Sequence, residues 1–144
     1  MKKIITLSAL LLAVAFTFSG CSKQKQIMKR LVGTWNIDKV AGTVTVKITG
    51  FPDQVNNVDS TNAGTVTFKD DATGTNQDGH SMTWLNTDKT VALTDKTDNT
   101  TETYTVTTNE KTKQVWTNTE TTTSVVFGMT ITYVNNLTIT LSKK

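Results

Sequence analysis

The chain has 144 residues, with 15 Lys/Arg against 12 Asp/Glu, and one residue each of His, Cys and Pro. One cysteine excludes an internal disulfide, a single His and Cys cannot supply an ordinary zinc donor set, and the length suits one domain rather than two. Leu31 to Lys144 carry nine basic and twelve acidic residues, a formal −3, so the body of the chain has no nucleic-acid signature.

Met1 to Lys3 give a short basic start, and Ile4 to Phe18 an apolar run of fifteen residues broken by Thr6, Ser8 and Thr17. Such a run is shorter than the roughly 18–20 apolar residues a membrane helix needs, so residues 1–20 read as a cleaved export signal. Phe18-Ser19-Gly20-Cys21 then resembles the lipobox of bacterial lipoproteins, with Phe18 where Leu is usual. The resemblance implies that Cys21 is the lipidation site, carrying two or three palmitate-type acyl chains, and that membrane lipid is a partner. Each buried methylene adds about 0.8 kcal/mol to membrane affinity, so several chains anchor permanently. Ser22 is similar to the residue that sorts lipoproteins to the outer membrane, and Ser22 to Gln26 lack the acids that mark surface export in some groups. A periplasm-facing, lipid-anchored envelope location is therefore expected.

Residues 21–30 read as a flexible tether, and Lys23, Lys25, Lys29 and Arg30 stand within reach of anionic head groups. Within Gln24 to Leu31 a short helix is expected, with Ile27, Met28 and Leu31 on one side. From there to Lys144 the apolar period falls to two, the strand signature. Threonine occurs 32 times, 30 of them after Cys21, and β-branched residues suit a pleated, half-buried surface.

The expected strands are Thr43–Thr49, Thr65–Lys69, His80–Asn86, Thr90–Thr94, Thr101–Thr107, Lys113–Thr119, Val125–Val134 and Leu137–Leu141. Turns fall at Asp70–Gly74, Gln77–Gly79, Asn86–Lys89, Asn109–Lys111 and Asn135-Asn136. Gly50 to Ala63, a longer polar stretch with Pro52, reads as a lid or variable loop. Eight to ten short strands with no helices to cover a flat sheet favour an all-β, antiparallel up-and-down barrel over residues 31–144, since closure removes exposed edges. A β-sandwich is the alternative.

Gly33-Thr34-Trp35, at the start of the first strand and after a short helical segment, is similar to the opening motif of the lipocalins. Gly64 to Thr75 followed by Met82-Thr83-Trp84 looks like the small lipocalin-like lipoproteins of Gram-negative envelopes. The likeness spans about Leu31 to Lys144, in pattern more than identity. It implies that Gly33 and Trp35 form a structural motif in which Trp35 closes one barrel end, often under an arginine of the last strand; plain core is the other reading of Trp35. The expected last strand contains no arginine, and Lys143 stands beyond its end.

Catalytic residues are not expected. His80 with Ser81 or Ser124 lacks a nucleophile elbow, and Asp70, Asp71 and Asp78 do not follow a calcium-loop spacing. Neither cofactor nor metal is implied. Met82, Trp84, Tyr104, Trp116, Phe127, Met129 and Tyr133 are expected to face inward, where an eight-strand barrel either fills with side chains or holds one small ligand. Two functions follow: a non-enzymatic envelope lipoprotein that binds a small apolar or amphipathic molecule, or a filled barrel that contacts an envelope protein. Asp59-Ser60-Thr61 resembles a motif O-glycosylated after export in some Gram-negative anaerobes, against chance occurrence in so threonine-rich a chain.

Overall fold

The computed structural model describes residues 23–144; the span 1–20 read as an export signal, and Cys21 read as a lipidation site, lie outside the described residues. Residues 23–31 form helix α1. Nine strands follow: β1 (Gly33–Ile48), β2 (Gln54–Thr61), β3 (Thr65–Phe68), β4 (Thr73–Thr75), β5 (Ser81–Asn86), β6 (Thr90–Asp95), β7 (Thr101–Asn109), β8 (Lys113–Val126) and β9 (Met129–Lys143).

From β3 onward each strand pairs antiparallel with the next, β1 pairs with β3, and β9 returns to β1 from Trp35↔Lys143 to Ile48↔Ile131. The result is a closed, eight-stranded, up-and-down barrel with one short helix on its N-terminal side. A sandwich would need two sheets, and here one continuous sheet closes on itself.

Alternation decides the interior. On β5, Met82, Trp84 and Asn86 are buried while Ser81 and Leu85 are exposed; on β8, Gln114, Trp116 and Asn118 are buried. On β1 a bulge between Ile37 and Lys39 inserts Asp38, so the inward parity passes from Trp35 and Ile37 to Val40. The Asp38 carboxylate accepts the Ser142 hydroxyl at 2.8 Å across that seam. Without the extra residue, Val40 would turn to the outside.

The span assigned to a flexible tether is ordered from residue 23 on. Ile27 and Leu31 of α1 are buried in the core, whereas Met28 is on the surface. Reciprocal amide bonds fix the helix to the β5–β6 turn: Gln24 Nε2 donates to the Asn86 carbonyl at 2.8 Å, and Asn86 Nδ2 donates to the Gln24 carbonyl at 2.9 Å. Two apolar residues one turn apart on the same face suffice to dock a helix that would be marginal alone.

Gly50 to Ala63 is not a lid. Its Gln54–Thr61 portion is β2, paired with β1 over eight residues from Lys39↔Thr61 to Val46↔Gln54. It has no apolar period because almost all of it is exposed on both faces, and backbone pairing alone holds it. The expected turn at Asn135-Asn136 is likewise strand, with both residues within β9. The reversal occurs at Phe127-Gly128, whose φ values of 50° and 78° are both positive, as a two-residue type I′ hairpin requires.

That displaced turn makes β8 and β9 long. Together with β1 and β2 they extend past the barrel rim as a four-stranded paddle, since β7 pairs with β8 only up to Thr117. The sixteen residues of β1 span about 50 Å at roughly 3.3 Å per residue. The paddle tip therefore stands far from α1, which covers the other end.

Candidate functional site

The α1 end of the barrel is shut. Trp35 is fully buried, and its indole N–H donates to the Leu31 carbonyl at 2.6 Å. Strand β9 runs through Lys143, whose ammonium lies 4.5 Å from the centre of a Trp35 ring and donates to the Val32 carbonyl. Lys143 thus does occupy the place above the tryptophan that its nearness to the terminus argued against, because β9 is longer than its apolar pattern. Burial holds its pKa below the ordinary lysine value.

Gly33 belongs to the same unit. A Cβ there would sit 2.5 Å from Lys143 Nζ, and its φ is +125°. The Gly-x-Trp spacing is thereby explained locally, since glycine lets the lysine cross the strand to reach the ring two residues on. Lys143→Met is expected to lower stability by about 1–2 kcal/mol, with Lys143→Arg retaining most of it, read as the shift of the urea midpoint.

Above this plug lies an aromatic layer. Phe68 meets Trp84 edge-on at 5.6 Å and 84°, and Trp116 at 5.8 Å and 68°, while Tyr104 and Trp116 are tilted 5.7 Å apart. Trp84 Nε1 donates to the Thr73 and Lys69 carbonyls at 3.1 and 3.2 Å. Buried amides satisfy the remaining inward positions. Gln114 bonds Asn109 Oδ1 and the Glu110 carbonyl, both at 2.8 Å, and Asn118 bonds the Thr103 carbonyl at 3.0 Å.

Beyond the aromatic layer the barrel is hollow. A cavity of about 250 Å³ is walled by Met82, Leu93, Tyr104, Trp116, Ile139 and Leu141 and opens beside Asn76 to Asp78, Asp95, Thr100 and Glu102. The interior is therefore packed around Trp35 and Phe68 and open toward the mouth. At about 250 Å³ it falls just below the usual range of ligand pockets, about 300 to 1,000 Å³, and suits only a small molecule.

Of the seven aromatic and methionine residues read as inward, Met82, Tyr104 and Trp116 line this cavity and Trp84 packs beneath it. Phe127, Met129 and Tyr133 do not face inward. They stand on the paddle hairpin, with Phe127 97% and Tyr133 42% exposed. Their alternation matched a barrel strand, but the tertiary structure puts no opposing wall over that part of β8 and β9.

The mouth is acidic. Asp95, Glu102 and Asp78 are among the lining residues, and no Lys or Arg is. The Tyr104 hydroxyl donates to Glu102; burial first, then that carboxylate, pushes the phenol pKa up. Asp95 is held below the usual carboxylate range, chiefly by the Thr97 amide at 2.7 Å, and it also accepts from Asn76 Nδ2 at 2.9 Å and faces His80 Nδ1 at 3.4 Å. The mouth acids were legible by parity: Asp95 stands two residues after Leu93, and Glu102 two before Tyr104.

Asp71 spends one carboxylate oxygen on the Thr73 hydroxyl at 2.6 Å and the Thr73 amide at 2.9 Å, which hold its pKa low. Among the described residues, no three His, Cys, Asp or Glu side chains are grouped to hold a metal. Ser60 is exposed on β2, next to Asp59, which pairs with Lys39 at 2.9 Å.

No family model matches the chain, and no curated protein does. Among solved structures, a redesigned β-barrel is similar over 83% of this chain and 96% of its own, with 16% sequence identity and a TM-score of 0.36.

Proposed function

We propose that this chain is a non-enzymatic, lipocalin-like envelope lipoprotein, tethered through acylated Cys21, whose barrel holds one small amphipathic molecule. The observation that carries the reading is the half-filled interior: an aromatic floor of Tyr104 and Trp116 under a cavity of about 250 Å³. Apolar walls supply affinity, and the six polar residues at the mouth, Asn76 to Asp78, Asp95, Thr100 and Glu102, supply orientation. With Asp78, Asp95 and Glu102 around the opening and no basic side chain in the lining, the polar end of the molecule is expected to be neutral or cationic. The lipobox resemblance and Ser22 support an outer-membrane, periplasm-facing location.

Titration of the protein with hexylammonium, hexanol and hexanoate, followed by Trp116 fluorescence against a Trp116→Phe control, tests the reading. Hexylammonium is expected to bind several-fold more tightly than hexanol, and hexanoate least. Glu102→Gln should weaken the preference for the cation and leave hexanol binding unchanged. No saturable binding of any of the three, with no ligand seen by native mass spectrometry, would sink the reading.

The paddle favours a second reading, contact with an envelope protein. Phe51, Val125 and Phe127 are exposed at its tip, where the Thr49 amide bonds the Thr130 carbonyl at 3.1 Å and brings both turns together. In-cell crosslinking from position 127 to a single reproducible protein would favour this reading over the first.

A further inference from the structure

The connections of the barrel sort its charges by end. Helix α1, the turns after β3, β5 and β7, the start of β8 and the last two residues all lie at the closed end, and they hold ten Lys/Arg against four Asp/Glu. The rest of the described chain, which includes the open mouth and the paddle, holds three basic residues against eight acids. The closed end is thus formally +6 and the remainder −5.

Pairing sharpens the contrast. Of the three basic residues away from the closed end, Lys39 and Lys47 are ion-paired with Asp59 and Asp53 at 2.9 and 3.3 Å. Among the described residues, none of the ten at the closed end forms a salt bridge. Four of them, Lys29, Arg30, Lys111 and Lys143, line one depression of about 370 Å³ between α1 and the β7–β8 turn.

From this segregation we infer that the closed end is a docking face for an anionic phospholipid surface, on which the barrel stands with its mouth and paddle directed away from the bilayer. Charge complementarity carries the choice of partner, because an end with ten cations free of salt bridges among the described residues meets a surface of phosphates without needing any one geometry. The face also lies where the described chain starts, two residues after Cys21, so a tether there would deliver this end to the membrane first. The inference stands whether or not the cavity holds a ligand. Its consequence for function is that the mouth exchanges with the aqueous space and not with the lipid beneath.

Lysine acetylation of the full chain, mixed with vesicles of phosphatidylcholine alone or with added phosphatidylglycerol, reads the orientation directly by peptide mass. Exposed Lys29, Lys111 and Lys113 are expected to be protected severalfold only when phosphatidylglycerol is present, and raised salt should reverse it. Lys39, Lys47 and Lys96 should label equally in both. Each of Lys29→Gln and Lys111→Gln should lower the phosphatidylglycerol-dependent protection of the remaining closed-end lysines severalfold. Equal labelling at the closed end in both vesicles, or protection of Lys39 and Lys96 instead, would overturn the assignment.

Discussion

Replacing Trp116 by alanine is expected to cost about 3–5 kcal/mol, enough to unfold a large fraction of a domain whose total stability is about 5–15 kcal/mol. Trp116 is 2% exposed and touches both Phe68 and Tyr104, so it joins the plugged half of the barrel to the cavity walls. Its truncation leaves a void next to an existing hollow, where the surrounding strands are least able to collapse because hydrogen bonds hold them in the ring. Urea unfolding followed by far-ultraviolet circular dichroism measures the loss. Phe127→Ala provides the contrast, since the same sequence pattern marked both residues and Phe127 is 97% exposed. Its expected change is within about 0.5 kcal/mol. Comparable losses in the two variants would contradict the placement of the β8–β9 turn.

Gly42→Ala is expected to have a similarly large effect through a different cause. Gly42 faces Leu137 across the β1–β9 seam, and a Cβ on it would sit 1.9 Å from the backbone oxygen of Asn136. Its φ of +150° is also outside the range that side-chain-bearing residues readily adopt. Backbone cannot yield as a flexible side chain does, so the seam must open locally, at a cost of about 3 kcal/mol or more. Hydrogen exchange should then show faster exchange in Lys39 to Ile48 and Ile131 to Thr140, with β5 and β6 less affected. Gly79→Ala serves as the control for strain alone: its φ is +81°, but nothing lies within 4 Å of the added Cβ. Equal protection of β1 and β9 in wild type and Gly42→Ala would show that the seam tolerates the side chain.

The two variants mark the boundary between what was legible in the chain and what was not. The strands from β5 to β7 were readable because each is short, half-buried and bounded by turn residues, so period-two alternation and local turn chemistry agreed. Within the expected turn at Asp70–Gly74, Asp71 accepts the amide of Thr73; Asp95 and Asp98, outside the expected turns, do the same with Thr97 and Thr100. Strand β2 was not readable, since its neighbour in the sheet contributes hydrogen bonds that leave no mark on side-chain pattern. The Asn135-Asn136 pair looked like a turn by composition, yet sheet pairing on both sides of β9 outweighed that local preference.

Sequence alone determined that this is an all-β chain with tryptophan, tyrosine and methionine at inward parity, because alternation and burial are coupled residue by residue. Only the tertiary structure decided where the interior stops. Met82, Tyr104 and Trp116 have a facing wall, and Phe127, Met129 and Tyr133 do not. A wall is a property of strand lengths, of the bulge at Asp38 and of closure between β1 and β9, all of which depend on partners remote in the chain. The same holds for charge. Ten basic residues scattered from α1 to the C-terminus meet at one end because an up-and-down barrel returns every second turn to the same rim.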